Sequence, residues 1–561
     1  MIYFPDVADR KDIADLLNIR LKTLTYILFA KGTAHCYTTF EIPKRSSGVR
    51  AINAPNDELK AIQSKLADRL WEYQQEIWKK ENIQPNLAHG FIKGKSIFSN
   101  ASIHRNKRYI LNLDLSDFFG SIHFGRVCGF FEKNKYFRLP HEAAVTIAQI
   151  ACFNGCLPQG APSSPIISNL ICQTFDIHLL RLAKQFRMDY SRYADDITFS
   201  TNDHAFLENY DAFIEQVKAE IVRMGFSINE NKTRLTYRDS KQTVTGLIVN
   251  KKINIDREFY RTTRAMVNHL YRGQDITING ASATMAQLEG RLAFIDQIDL
   301  YNNRRDSNKH DAFHLCGREK DYQKFLFYKH FFANEKPLII TEGKTDVVYI
   351  KAALKSMYLD YPNLIAKDEE TGKYDFKISF LKRTPRLKYY FKINPDGADT
   401  FAFLFECYNS LKGNPPNYYR FFQSQAKEPA KCHVILLLDN ETNSDRPLKK
   451  FIRMANLSQE EKANLFSSLY HRIQGNTNLF LLTLNLPEGK TECEIEDLFP
   501  ESVLNQVIDG RRFDRKVEKG DKNHYGKEVF SKYIYSHFET IDFSSFKPML
   551  DALNRIVLTQ L

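Results

Sequence analysis

Between Arg192 and Ser200 the chain reads RYADDITFS, an apolar–polar alternation on both sides of two adjacent carboxylates. A period of two predicts strands. Asp195 and Asp196 fall where the two strands must join, so the stretch predicts a hairpin with acids at its turn. A second run, Tyr109 to Leu115 (YILNLDL), predicts a buried strand carrying Asp114 near its end. Three carboxylates on neighbouring strands can hold two divalent ions, and Mg²⁺, a hard cation, suits oxygen donors. An Asp-Asp pair alone is usually no more than a turn signal, so the reading depends on its surroundings.

Those surroundings are NLDLSDFF (112–119) and LPQGAPSSPIISNL (157–170), which precede Tyr193-Ala194-Asp195-Asp196 in that order. The three segments together resemble the reverse transcriptases. The resemblance implies an α+β right-hand polymerase with fingers, palm and thumb, using deoxynucleoside triphosphates and a two-ion Mg²⁺ site on Asp114, Asp195 and Asp196. It also implies roles for other residues. Phe119 would wall off the sugar and exclude a 2′-hydroxyl, Gln159 and Gly160 would support the templating base and incoming nucleotide, and Lys44 and Arg50 would clamp the triphosphate. Lys232, in INENKTR, would lie near the leaving pyrophosphate as a catalytic acid.

Asn100-Ala101-Ser102-Ile103-His104 resembles the N-A-x-x-H motif of retron enzymes, and Val244-Thr245-Gly246 their V-T-G motif. The retron resemblance implies that Asn100, His104, Val244, Thr245 and Gly246 bind RNA. It further implies a cognate structured noncoding RNA partly copied into a DNA that stays joined to it through a 2′-5′ branch. Arg261, Arg264, Tyr271 and Arg272 would face that RNA from the thumb. Group II intron enzymes are the neighbouring alternative, and they would continue into a maturase-type domain.

The chain continues otherwise. At 561 residues it exceeds one hydrophobic core, and its 43% hydrophobic and 26% charged residues describe a folded protein. The net charge of +12 suits a polyanionic partner. After Asn334-Glu335-Lys336-Pro337 come LIIT, a helical stretch, HVILLLD and LFLLTL, which predict an α/β domain with a mostly parallel sheet. The expected division is fingers and palm over 1–250, thumb and connector over 251–333, and the α/β domain over 334–561.

Glu342 follows the first of these strands, and Asp439 and Glu441 follow the second, where α/β proteins build their sites. Three acids there can converge on a divalent cation. The arrangement resembles a TOPRIM domain, which implies one or two Mg²⁺ ions and phosphodiester cleavage, with catalytic Glu342, Asp439 and Glu441. The second acid of the usual D-x-D pair is here Glu441, one methylene longer. Glu492, Glu494, Glu496 and Asp497 form a third acidic group, either part of the site or an acidic helix start. For a retron such a domain implies an antiphage effector restrained by the RNA–DNA product; the rival reading is a non-catalytic nucleic-acid-binding scaffold.

Gly343-Lys344-Thr345 lacks the earlier glycine of a P-loop, so no ATPase is expected. Nine cysteines without a C-x-x-C pair predict neither zinc nor disulfides. Met1-Ile2-Tyr3-Phe4-Pro5-Asp6 carries no leader pattern and no run nears eighteen apolar residues, so a cytoplasmic protein without a membrane partner is expected. The oligomeric state stays open, a homo-oligomer included.

Overall fold

The computed structural model describes residues 3–43, 48–84, 87–305, 311–394, 401–411, 413–425, 429–442, 446–473, 477–518 and 521–561. Lys44 lies outside them. The chain divides into two compact units, Met1–Arg257 and Glu258–Leu561.

In the first unit β1 (Tyr37–Pro43) and β2 (Val49–Pro55) pair as a largely exposed antiparallel ribbon. Helix α1 (Ile97–Ile103) begins at a Ser96–Ser99 capping box. Strand β3 (Tyr109–Ser116) is the centre of an antiparallel sheet, with β5 (Asp196–Thr201) on one edge and β6 (Ser227–Ile228) and β7 (Arg234–Tyr237) on the other. Beyond β5 lies β4 (Asp189–Tyr193). Six of the eight β3 residues are buried, as a strand covered on both faces requires. Helix α2 (Ser164–Gln185) sends Ile167, Phe175 and Leu179 into the same core as Leu111, Ile197 and Phe199. A short hairpin follows, β8 (Thr243–Val244) and β9 (Leu247–Ile248).

The second unit opens with α3 (Arg257–Tyr271), α4 (Met285–Asn303) and α5 (Gly317–Phe327). Its five-stranded sheet consists of β10 (Leu338–Thr341), β11 (Ser379–Phe380), β12 (Val434–Leu438), β13 (Tyr470–Arg472) and β14 (Leu479–Thr483) in the order β11-β10-β12-β14-β13. All neighbours are parallel except β13, an antiparallel edge. LIIT, VILLL and LFLLT are buried at every position. Tyr349 and Ile350 of α6 (Asp346–Ser356), Phe530 of α7 (Lys527–Ser536) and Leu550 and Leu553 of α8 (Lys547–Leu558) share a core with them.

The structural division at 257/258 falls beside the expected boundary at 250/251, and residues 258–333 share one compact unit with the α/β domain. The helices before 334 bond to segments after it: Asp296 accepts from Arg386 at 3.1 Å and from the Tyr390 hydroxyl, and Tyr389 donates to Glu319 at 2.8 Å. Asp296 and Asp299 are 2% and 5% exposed, and buried carboxylates persist only with such partners. Tyr271, expected to face RNA, is instead core, 5.0 Å from the Tyr328 ring and 4.9 Å from Phe422. Arg264 is paired with Asp321 at 3.2 Å, while Arg261 and Arg272 are exposed. Among the described residues no helix is long and apolar enough to cross a membrane.

Candidate catalytic centres

In the first unit Asp114 and Asp196 stand directly opposite each other across β3 and β5. The β4–β5 turn is two residues long, because Tyr193 pairs with Asp196. Ala194 takes a left-handed φ of 56°, a conformation that costs a residue with a Cβ about 1–2 kcal/mol, and the Asp195 carbonyl accepts from Leu115 N at 3.0 Å. All three acids thus share one end of the sheet. Lys232 donates to both Asp114 oxygens at 3.0 and 2.9 Å, and Asn229 adds a contact at 3.3 Å.

Burial raises the Asp195 carboxyl, and Asp114 adds to this, while Lys232 and Arg50 act against it. Asp196 is pushed up to about 7 by burial, then by Asp195 and Asp114. Such carboxylates are short of positive charge. Lys232 is bonded to Asp114 and Arg50 acts on Asp195 from farther away, and the donor set of hard oxygens fits divalent ions.

Around this centre, Phe119 is half-buried, its ring 5.2 Å from Phe118 and 6.3 Å from Phe91. The Gln159 carbonyl accepts from Asn53 N of β2 at 2.9 Å, and Gly160 has φ 128°. A Cβ on Gly160 would stand 2.7 Å from the Asn53 carbonyl, so only glycine fits this approach. Arg50 is exposed on β2.

The retron motifs occupy different ground from that expected. Asn100 and His104 are both 0% exposed. His104 bridges Ser200 of β5 at 2.7 Å and Ser191 of β4 at 2.8 Å, and Ser191 donates to Asn100. Burial pushes the His104 imidazole down to about 3, so it stays neutral. Their side chains brace α1 against the catalytic hairpin and do not face RNA. Val244 is likewise buried, whereas Thr245 and Gly246, at φ 46° and 81°, are the two-residue turn of the β8–β9 hairpin. Two left-handed residues are what the tight turns of such hairpins demand.

In the second unit Glu342 follows β10, and Asp439 and Glu441 follow its neighbour β12. One oxygen from each lies within 4.8 Å of the others. Among the described residues no other three potential ligands are gathered as tightly, the polymerase triad included. Glu342 is pushed up to about 7 by burial and by Asp346. Burial, then Asp346 and Glu342, hold Asp439 well above the usual carboxylate range. Glu441 is also raised by burial, against Arg446 at 3.4 Å. Glu342 Oε2 is buried without a hydrogen-bond partner. A buried carboxyl oxygen without a partner, beside two other raised carboxyls, is costly unless a cation is shared, so this donor set fits a divalent ion.

The third acidic group borders that trio. Ile495 N donates to Asp439 Oδ1 at 3.2 Å, Glu496 and Glu494 add to the upward push on Asp439, and Glu494 and Glu492 add to that on Glu441, while several of these acids have partners of their own. Glu494 and Asp497 form a capping box on the turn Ile495–Leu498, Arg515 holds Asp497 at 2.7 Å, and Lys527 holds Glu496 at 3.0 Å. Sequence reasoning assigned no role to Asp346, which is 6% exposed and accepts from Gly343 N at 2.7 Å. A Cβ on Gly343 would lie 2.8 Å from Asp346 Oδ1, so the glycine beside Glu342 was the available signal.

Comparison with known proteins bears on the first unit and on part of the second. The family model for reverse transcriptase (RNA-dependent DNA polymerase) matches residues 42–252. The retron Mx65 reverse transcriptase of Myxococcus xanthus is 33% identical over 309 residues, 52% of this chain and 68% of that one. The retron Ec86 reverse transcriptase of Escherichia coli is 31% identical over 307 residues, 54% of this chain and 88% of that one. The retron Ec83 enzyme of the same organism is 31% identical over 311 residues, 51% and 91% of the respective chains. Similarity running through most of the length of such relatives decides between the retron and group II intron branches, and this chain belongs to the retron reverse transcriptases, RNA-directed DNA polymerases.

Proposed function

We propose that the first unit copies a cognate structured noncoding RNA into a DNA that remains joined to it, and that the second is a metal-dependent nuclease of the TOPRIM kind. Asp114, Asp195 and Asp196 would hold Mg²⁺ in the first, and Glu342, Asp439 and Glu441 would hold one or two such ions in the second. Bound in a polymerase site, two ions lower the pKa of the primer hydroxyl and neutralise the triphosphate and its leaving group. Arg50 and Lys44 would clamp the triphosphate, Gln159 and Gly160 would support the base pair, and Lys232, whose bond to Asp114 supports the reading, would donate a proton to pyrophosphate.

Phe119 walls the sugar side. A Phe119→Val enzyme is expected to admit ribonucleotides about ten- to a hundredfold better, the range of a 1–3 kcal/mol steric penalty, read as the ratio of kcat/KM for the two sugars. An unchanged ratio would remove Phe119 from the pocket.

The nuclease reading is carried by one observation, the approach of Glu342, Asp439 and Glu441 oxygens to within 4.8 Å at the carboxyl ends of adjacent parallel strands. In a retron it supports an antiphage effector in the cytoplasm, restrained by the RNA–DNA product. The scaffold reading draws on Asn440, which stands between the two acids, and on Arg446, which already partners Glu441.

Sequencing the nucleic acid that copurifies with the full chain tests the whole assignment. The expected species is one RNA, enriched over all others, with a short DNA attached at an internal 2′ position. Bulk cellular RNA without attached DNA would count against it.

A further inference from the structure

Tyr190 and Arg192 alternate onto the α2 face of β4, and neither is exposed beyond 3%. The Arg192 guanidinium uses all three of its nitrogens. Nε and Nη2 hold the two Asp176 oxygens at 2.7 and 2.8 Å, Nη2 also reaches Asn169 Oδ1 at 3.2 Å, and Nη1 donates to the Ala194 carbonyl at 3.0 Å. Asp176 also accepts from the Tyr190 hydroxyl at 2.7 Å.

The contacts close a ring. Asn169 donates to the Gly90 carbonyl at 2.9 Å, and Gly90 presses so closely on Ala194 that a Cβ there would lie 2.6 Å from the Ala194 amide nitrogen. His89 N donates to the Arg192 carbonyl at 2.8 Å, and Arg192 N to the Leu87 carbonyl at 2.9 Å, which fastens the same loop along β4. Ala194 is thus gripped at its nitrogen by Gly90 and at its carbonyl by Arg192, in a left-handed conformation it would not choose alone.

A buried ion pair is seldom a net source of stability, since an apolar pair of the same volume does as well or better. What a guanidinium adds is a fork of donors in fixed geometry. Here that fork ends on the peptide joining Ala194 to Asp195. We propose that Arg192, oriented by Asp176 and Asn169, is a positioning residue of the polymerase, fixing the Ala194–Asp195 peptide and so aiming the two turn carboxylates.

Two variants test this, each assayed by primer extension and normalised to folded protein. Arg192→Met with Asp176→Asn removes both charges and leaves the Tyr190 hydroxyl an acceptor. Arg192→Lys keeps the charge beside Asp176 but cannot span Asp176 and the Ala194 carbonyl together. In both, kcat is expected to fall about ten- to a hundredfold, the cost of misplacing reacting groups by an ångström or less, with deoxynucleotide KM changed less than about threefold. Half-saturating Mg²⁺ should rise. A merely structural role would lower the melting temperature and move neither the kcat-to-KM split nor the Mg²⁺ requirement. Wild-type kcat and Mg²⁺ dependence in either variant would overturn the assignment.

Discussion

An Asp196→Asn enzyme is expected to fold with a melting temperature at or above that of the wild type and to make no cDNA above background. Asn keeps the shape of the side chain and removes the charge. In the metal-free fold that charge is a burden, because Asp196 is partly desolvated and crowded by Asp195 and Asp114, which together push its carboxyl up to about 7. Neutralising it relieves repulsion across the β3–β5 register. For catalysis the same change removes one of the three anions of the site. The loss should be several kcal/mol of transition-state stabilisation, about a thousandfold in rate. Extension of an annealed primer over a Mg²⁺ titration checks it, and synthesis within about tenfold of wild type at saturating Mg²⁺ would exclude Asp196 from the site.

The strands that carry these acids were legible because their local signals agree. YILNLDL, LIIT and VILLL are mostly apolar runs too short for a helix with a carboxylate at or just beyond the end, Asp114, Glu342 and Asp439, so strand, burial and site follow from one pattern. The polymerase motifs added order along the chain. Other features depend on partners that the sequence does not place side by side. His104 reads the same whether it meets RNA or the hydroxyls of Ser191 and Ser200, and only the fold puts it within hydrogen-bond reach of both.

The stretch 251–333 is expected as a thumb and connector set apart from the α/β domain. Its acids Asp296 and Glu319 instead find Arg386, Tyr390 and Tyr389, so the compact unit begins at Glu258. Arg192 went unremarked for a related reason. Its counter-ion Asp176 lies sixteen residues earlier on α2, and only the fold brings the two together.

The second large effect is expected at Glu342. A Glu342→Gln protein should lose Mg²⁺-dependent cleavage of DNA and RNA substrates by about a thousandfold, again several kcal/mol, and cells expressing it should lose protection against phage. Its stability should change in the opposite sense. Glu342 titrates near 7 in the fold against the ordinary 4.5, so the folded state binds its proton more tightly than the unfolded chain does. Stability from this group is fully present below the ordinary carboxylate range and is lost as pH rises through about 7. Without metal, the wild type should therefore melt at falling temperature between about pH 5 and pH 8, and the variant should fall less steeply. Asp196 slopes the same way in both proteins, so the difference between the two curves reports Glu342 together with the part of the Asp439 shift that Glu342 causes. Added Mg²⁺ should raise the wild-type melting temperature most at the alkaline end, where the trio is ionised, and should raise that of the variant less. Equal cleavage by the two proteins would remove Glu342 from the nuclease. No cleavage by either, with the copurifying RNA–DNA still bound, would leave the second unit as a scaffold for the product of the first.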